Sequence, residues 1–413
     1  MTSAQEIINS LRYEFMQEAN NAPKLFRDLA KVEQYIAESY KTRSFIELIQ
    51  NADDVESSKF GIYSFNDGLI VANNGKPFNI EDVEALCRSG SSNKCRGGNT
   101  IGYRGIGFKS VVNIAESIYV FSEDFAFYFD KNETRKLLPD ISDVPLIRVP
   151  HPYRNVNNDK LLLEEANTIK NKHQFTTLFV FCGLNKRIVL QEILEFDKNS
   201  LLFLHHIRQV HLEFDSIRRN INIEKKVINN QLIIRIGEGE HLDEWEILQS
   251  RNDVRDIIAL KRQDNRIVPA LTDESVIHSF IPTTEFSGAY IKLNGDYSTD
   301  PSRKNIDMDD FSEKSFSNAI SLIIENIVGI LERKIVKPGF FNPFVNIKEV
   351  SKFKHKLFKS ILDSLHNKTL NNFNGKEVKF SSIRLRPDWL NYEDYENLLS
   401  SFNFIPHFFC VKL

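Results

Sequence analysis

The sequence predicts an α+β fold spread over more than one domain, and three observations carry that prediction. At 413 residues the chain exceeds what a single hydrophobic core usually fills. Apolar residues recur at helical spacing in several stretches: in "SFIELIQNADDVES", residues 44 to 57, Phe45, Leu48, Ile49 and Ala52 fall at i, i+3, i+4 and i+7. Between such stretches lie short β-rich runs joined by turn residues, as "KFGIYSF" and "GLIVANN" are joined at Asn66-Asp67-Gly68.

Along the chain, residues 1 to 41 read as helical with a break near "NNAPK". A helix follows over about 42 to 57, then the hairpin, then a helix "NIEDVEALCRS" with Asn79 as its N-cap. The loop "SGSSNKCRGGNT" leads into "IGYRGIGFKSVVNIAES", whose apolar run reads as a helix entered through glycines. "SIYVFS", "AFYFD" and "TTLFVFC" read as strands. Helix resumes near 184 to 200 and opens a second unit. It mixes strands ("QLIIRI", "RIVPAL", "SFIPTT", "AYIKLNGDY") with helices ("LLFLHHIRQV", "EKSFSNAISLIIENIVGILERKI"). "KPGFFNP" marks a linker by its two prolines and glycine. The expected division is 1–183, 184–336 and 337–413. The last part opens with a helix in which Val350, Phe353, Leu357 and Ile361 form an apolar stripe and Lys348, Lys352, Lys356 and Lys359 a basic one.

Composition narrows the function classes. Hydrophobic residues make up 41% and charged residues 26%, ordinary for a globular protein. No run approaches the ~18 uncharged apolar residues that span a bilayer, and "MTSAQEIINSLRYEF" lacks the basic and apolar regions of a signal peptide. Cys87, Cys95, Cys182 and Cys410 show no CxxC spacing, so neither a disulfide framework nor a zinc site is expected. A cytoplasmic setting without a membrane partner fits these features. From residue 331 onward there are 14 Lys/Arg against 8 Asp/Glu, a basic end on a chain whose net charge is −3.

The chemistry gathers in the first half. Glu47, Asn51 and Asp54 recur at i, i+4 and i+7, an acid–amide–acid stripe along one line of the helix. Asn and Asp are mediocre helix formers, so a solvent face would be better served by Lys, Glu or Gln. Gly102, Gly105 and Gly107 stand before the next apolar run, where glycines admit close backbone approach and a helix N-terminus favours phosphates. The pattern is not the dinucleotide fingerprint, because no strand precedes it. Nor is it a Walker A loop, since Phe108 follows Gly107.

Taken in order, the Glu47-Asn51-Asp54 stripe, "NNGKPF" at 73 to 78, the Gly/Ser loop, the three-glycine entry and "TTLF" at 176 to 179 resemble the ATP-binding fold of the GHKL superfamily. "ELIQNADD", "NNGKPF" and "IGYRGIGFKSVV" look most like its sacsin-type branch, which is akin to the heat-shock chaperones. "SFIPTTEFSGAYIKLNGDYSTDPSRKNID" is similar to the segment that follows the ATP site there. The resemblance covers roughly 40 to 310. It implies a two-layer (Bergerat) sandwich of helices on a mixed, mostly antiparallel sheet, followed by a transducer-like α+β domain and a small C-terminal region.

The same resemblance assigns roles. Glu47 would be the general base on the attacking water, Asn51 would give an oxygen to Mg²⁺, and Asp54 would support the nucleotide. Asn73 stands where the family has an Asp that accepts from the adenine amino group. Its carboxamide oxygen could still accept, and its NH₂ could donate to a ring nitrogen, with the charge-assisted bond lost. Gly75 belongs to the same turn. Ser91, Ser92 and Lys94 lie on the loop that forms the lid over ATP in the family. Gly102, Gly105, Ile106, Gly107 and Phe108 form the phosphate elbow. Lys109 is either a further phosphate contact or solvated. Thr177 would reach adenine through water, and Arg303 would reach the γ-phosphate from the second domain.

These roles add up to a Mg²⁺-dependent ATPase that closes its lid and moves a domain or dimerises, as one component of a larger system such as a bacterial defence system. Two other readings stay open. One is a nucleotide-sensing module without useful turnover; the other is an ATPase that binds nucleic acid through its basic end.

Overall fold

The computed structural model describes residues 3–40, 43–88, 107–153, 160–300, 302–332, 335–366, 368–371 and 377–382. Among them the chain is α+β and divides into two units, one formed by 1–224 with 236–242, the other by 225–235 with 243–413.

Unit 1 opens with helices α1 (Ala4–Asn21) and α2 (Pro23–Ser39). Ser3 and Glu6 close a capping box on α1, and Pro23 starts α2 where no amide is needed. Next come α3 (Ser44–Asp54), strands β1 (Lys59–Phe65) and β2 (Gly68–Asn73), and α4 (Ile80–Cys87). The hairpin forms as expected: Phe65 pairs with Gly68 around a two-residue turn, with Asn66 at φ 51°. Asn79 caps α4 and pairs reciprocally with Asp82. Beyond 107 follow β3 (Ser117–Ser122), β4 (Phe125–Asp130), α5 (Lys131–Leu137), β5 (His151–Pro152), α6 (Lys160–His173), β6 (Thr177–Cys182), α7 (Lys186–Glu195), β7 (Gln209–Phe214) and β8 (Ile217–Ile228).

The strands of unit 1 lie in the order β8-β7-β1-β2-β6-β3-β4-β5. Among the described residues of this unit only β1 and β7 run parallel; the other pairs are antiparallel. Period-two alternation divides the two faces. Ile70, Ala72, Leu178 and Val180 pack under Leu162, Leu163, Ala166 and Ile169 of α6. Val71, Asn73, Thr177 and Phe179 face the other way, and all four are buried. On that side Phe108 packs its ring 5.0 Å from Phe179. The expected sandwich is therefore present, with α6 adding cover on the far face.

Two local expectations fail here. "LLFLHHIRQV" is not a helix: a short 3₁₀ turn ends at Leu201, and β7 begins at Gln209. The amides of His205, His206 and Ile207 donate instead to the Asp53 carboxylate at 2.8, 2.6 and 2.8 Å, which denies them to a helical ladder. Both histidines are exposed. The run after the glycines is a 3₁₀ segment, Gly107–Asn113, not an α-helix.

Unit 2 contains β9 (Gln231–Glu238), which it shares with unit 1, β10 (His241–Gln249), β11 (Ile257–Gln263), β12 (Arg266–Ile267), β13 (Val276–Ser279), β14 (Ile281–Phe286) and β15 (Lys292–Asn294). β16 (Ser298–Thr299) pairs with β17 (Ile306–Asp307), and α8 (Asp310–Leu331) and α9 (Lys352–His366) follow, with a last hairpin of β18 (Thr369–Asn371) and β19 (Glu377–Lys379). One core cluster takes in Leu260 and Leu293 of the sheet, Phe316 and Ile323 of α8, Phe340, and Phe353, Leu357 and Ile361 of α9.

The region 337–413 is thus not a third domain in its described part, because its apolar stripe completes the core of unit 2. For that reason no boundary falls at 336/337, and the one expected at 183/184 lies instead near 224, because β7 pairs with β1 and carries β8 with it. Val350 does not belong to the stripe: it precedes α9 and is 97% exposed. By length and composition α8 could cross a membrane, but Phe316, Ala319 and Ile323 place its apolar side in this core.

Candidate functional site

Helix α3 is the centre of the site. Of its 11 residues, only Asn51 and Asp54 are not buried. These are two members of the polar stripe, and the third, Glu47, is 2% exposed. The apolar members Phe45, Leu48, Ile49 and Ala52 are buried as their spacing requires.

The helix is held at both ends by carboxylates. At its start Glu192 of α7 accepts the Phe45 amide at 2.9 Å. Burial pushes the Glu192 carboxyl up to about 7, although hydrogen bonds from Phe45 and Ser44 oppose the shift. At its end Asp53 gathers the three amides of residues 205 to 207. The Ser44 hydroxyl donates to the Ser110 carbonyl at 3.2 Å and so ties the helix to the 3₁₀ segment.

That segment brings Gly107 against the stripe. A methyl group at Gly107 would lie 2.6 Å from Glu47 Oε2, so a side chain there would displace the carboxylate. Glycine serves here by close approach, but to the chain's own Glu47 carboxylate. Phe108, Phe78 and Phe179 form an aromatic wall beside it, with ring centroids 5.0 and 6.1 Å from Phe179.

Lys109 corrects an expectation. It is neither solvated nor turned toward a phosphate: its side chain is buried, with Nζ 3.6 Å from Glu33 and bonded to the Ile147 carbonyl. Glu33 also accepts the amides of Leu146 and Ile147 at 2.6 and 3.0 Å. Burial lowers the Lys109 pKa, and Glu33 opposes that shift. The pair is a strut that fastens the glycine segment to α2.

The other end of the site is built on strand register. Asn73 at the end of β2 pairs with Thr177 of β6, and Thr177 pairs with Ser122 of β3. Ser122 Oγ and Thr177 Oγ1 are 2.7 Å apart, and Ser122 Oγ also accepts the Phe78 amide at 2.9 Å. Asn73 Oδ1 accepts from the Gly75 amide at 3.0 Å. Gly75 itself abuts the end of α3, since a Cβ on it would lie 2.6 Å from the Val55 carbonyl oxygen.

Of the expected residues, the fold brings Glu47 and Gly107 together, with Asn51 and Asp54 continuing the stripe, and it sets Asn73 beside Thr177 and Gly75. Ser91, Ser92, Lys94, Gly102, Gly105 and Ile106 lie outside the described residues. Arg303 lies in unit 2, in the turn between β16 and β17 rather than between a strand and a helix. Its backbone is at φ 55° and it is 9% exposed, not a solvated loop arginine.

Asp53, Glu192, Glu33 and Asn74 are residues that sequence reasoning missed. Asn74 Oδ1 accepts from Ser57 Oγ and from the Ser58 and Lys59 amides, at 2.8, 3.0 and 2.8 Å, and so stitches the end of β2 to the chain entering β1. The doubled Asn and doubled Asp in "NNGK" and "ADD" were the available signal. In the Asp pair Asp53 binds backbone while Asp54 is half-buried; in the Asn pair both carboxamide oxygens accept from backbone amides.

Asn51 is the side chain here that could give a hard cation an oxygen. Mg²⁺ takes few protein ligands, prefers oxygen and keeps several waters. The half-buried Asn51 carboxamide makes no hydrogen bond to another described residue, so its oxygen is available.

Fold and site together define an α+β protein in which a polar helix stripe meets a glycine elbow at the end of a mixed sheet. No family model matches the chain. Protein NO VEIN of Arabidopsis thaliana is 26% identical over 297 residues, an alignment that covers 66% of this chain and 10% of that protein. The chain therefore matches about a tenth of the length of this distant relative.

Proposed function

We propose that unit 1 binds a magnesium-chelated nucleoside triphosphate, with ATP the nucleotide that the GHKL resemblance implies, and hydrolyses it to the diphosphate and phosphate. The observation that carries this reading is the close approach of Gly107 to Glu47, with Asn51 and Asp54 partly open one and two turns further along α3.

In this reading the buried Glu47 carboxylate orients the attacking water and takes its proton. Asn51 supplies an oxygen ligand to Mg²⁺, which when bound neutralises charge on the phosphates. Asp54 orders solvent around the nucleotide, and amides at the glycine elbow meet phosphate oxygens. Asn73 and Thr177 face the base. The lysine after the elbow holds the scaffold and does not touch phosphate. Phosphoryl transfer asks little covalent chemistry of a protein, so positioning and charge suffice.

Replacing Glu47 tests the assignment. Glu47→Ala should release phosphate from ATP about 10²- to 10⁴-fold more slowly than wild type while still binding nucleotide. Steady-state release at the wild-type rate would end the base assignment.

A second reading, a nucleotide sensor without useful turnover, is favoured by Asn73 in the place of an acid. Tight ADP binding by calorimetry with no phosphate release would select it. The nucleic-acid reading loses support from α9. Lys352 pairs with Glu285 at 3.0 Å, Lys356 pairs with Glu313, and Lys354 bonds the Ile347 carbonyl. Two of the four lysines of that stripe, Lys352 and Lys356, are therefore engaged within unit 2. Dimerisation and coupling to other proteins remain part of the proposal on the strength of resemblance alone.

A further inference from the structure

Asn73 is 7% exposed, and its Oδ1 accepts the Gly75 amide at 3.0 Å. That bond fixes the orientation of the carboxamide, because the flipped amide would set its NH₂ against an N–H, donor against donor. Nδ2 is therefore the atom directed away from the Gly75 amide, and it donates to no described residue. Nδ2 is not among the described buried side-chain atoms left without a partner, so solvent reaches it and an incoming acceptor can take the place of water.

The cross-strand partner supplies the opposite polarity. Thr177 Oγ1 lies 2.7 Å from Ser122 Oγ. When Thr177 gives its proton to Ser122, its oxygen keeps lone pairs for an incoming donor. With the Thr177 hydroxyl so turned, the end of the sheet presents an amide donor beside a hydroxyl acceptor. A 6-oxopurine shows an acceptor, O6, beside a donor, N1–H. Adenine shows a donor, its 6-amino group, beside an acceptor, N1, and meets the same pair only by shifting along its edge.

We propose that this site reads its base through the Asn73 amide donor and takes 6-oxopurine nucleoside triphosphates at least as tightly as ATP. The proposal rests on the reading that unit 1 holds a nucleotide. Asn73→Asp, which presents only acceptors, reverses the preference.

The test is calorimetric binding of ATP, GTP and ITP to the full chain with Mg²⁺. ITP isolates the 6-position, because hypoxanthine lacks the 2-amino group of guanine. The expected result is an ITP dissociation constant equal to or below that of ATP, with Asn73→Asp moving the ITP/ATP ratio at least tenfold toward ATP. ATP bound tenfold or more tightly than ITP by the wild-type protein overturns this inference and leaves the nucleotide reading standing. No binding of any of the three overturns both. The wild-type ratio decides even where the variant fails to fold, which its melting curve reveals.

Discussion

Helix α3 of unit 1 and the sheet of unit 2 bury polar groups in opposite ways. In the unit 2 sheet a buried or half-buried charge meets a charge of the other sign, as Lys109 and Glu33 do away from α3 in unit 1. Lys337 pairs with Glu246, which also lies 3.8 Å from Arg262, and Lys261 pairs with Glu274 at 2.6 Å beside Trp245. In unit 1, along α3, the carboxylates of Glu192 and Asp53 meet backbone amides, Glu47 faces a glycine, and Asn73 keeps one end of its amide open. A charge matched by its opposite finishes an interior. A carboxylate spent on amides fixes where a helix lies and leaves the groups beside it to meet something else. This contrast separates the scaffold from the candidate site more sharply than burial alone does.

The comparison can be broken at its strongest point first. Removing one member of a buried ion pair strands the other, so Glu246→Ala should cost about 3–5 kcal/mol in unfolding free energy, read from denaturant midpoints. A loss comparable to that of an exposed pair would mean that unit 2 does not depend on charge matching.

Asp53→Ala comes next. It leaves three amides without their acceptor, and bonds to a charged group are each worth about 1.5–3 kcal/mol. A loss of about 3 kcal/mol or more is expected, together with faster hydrogen exchange at residues 205 to 207. Unchanged exchange there would remove the clamp.

The smallest effect is in pH. The Glu192 carboxyl sits at about 7 in the folded chain against 4.5 as its ordinary value. Between those values the folded protein holds a proton that the unfolded chain has released. Its contribution is therefore complete below about pH 4.5 and is lost as pH rises through about 7, by at most about 3 kcal/mol. Glu192→Gln should flatten that slope in melting temperature between pH 5 and 8, and an unaltered slope would place the titration elsewhere.

What could be read in advance follows from which interactions are local. The hairpin at Asn66-Asp67, the Asn79 cap and the polar stripe of α3 depend on residues a few positions apart, so their patterns were legible. The distinction between Asp53 and Asp54 was not, because it is made by amides some 150 positions later. For the same reason "LLFLHHIRQV" carried a helical pattern that the Asp53 clamp overrides. Lys109 read as a phosphate contact or a solvated lysine because its strut partner, Glu33, sits on a helix 76 positions earlier. The last region looked separate because its linker residues are local, whereas the packing of Leu357 and Ile361 against α8 and the sheet is not.

One consequence of the Asp53 clamp concerns motion. Its three bonds span 2.6 to 2.8 Å, whereas advancing a helix by one residue moves it about 1.5 Å along its axis. Such a step would stretch all three past the range in which hydrogen bonds hold. The stripe-bearing helix and the chain entering β7 must therefore travel as one piece, and β7 is the strand that runs alongside β1. A push delivered at Asn51 would be felt at that strand as a tug on its leading end.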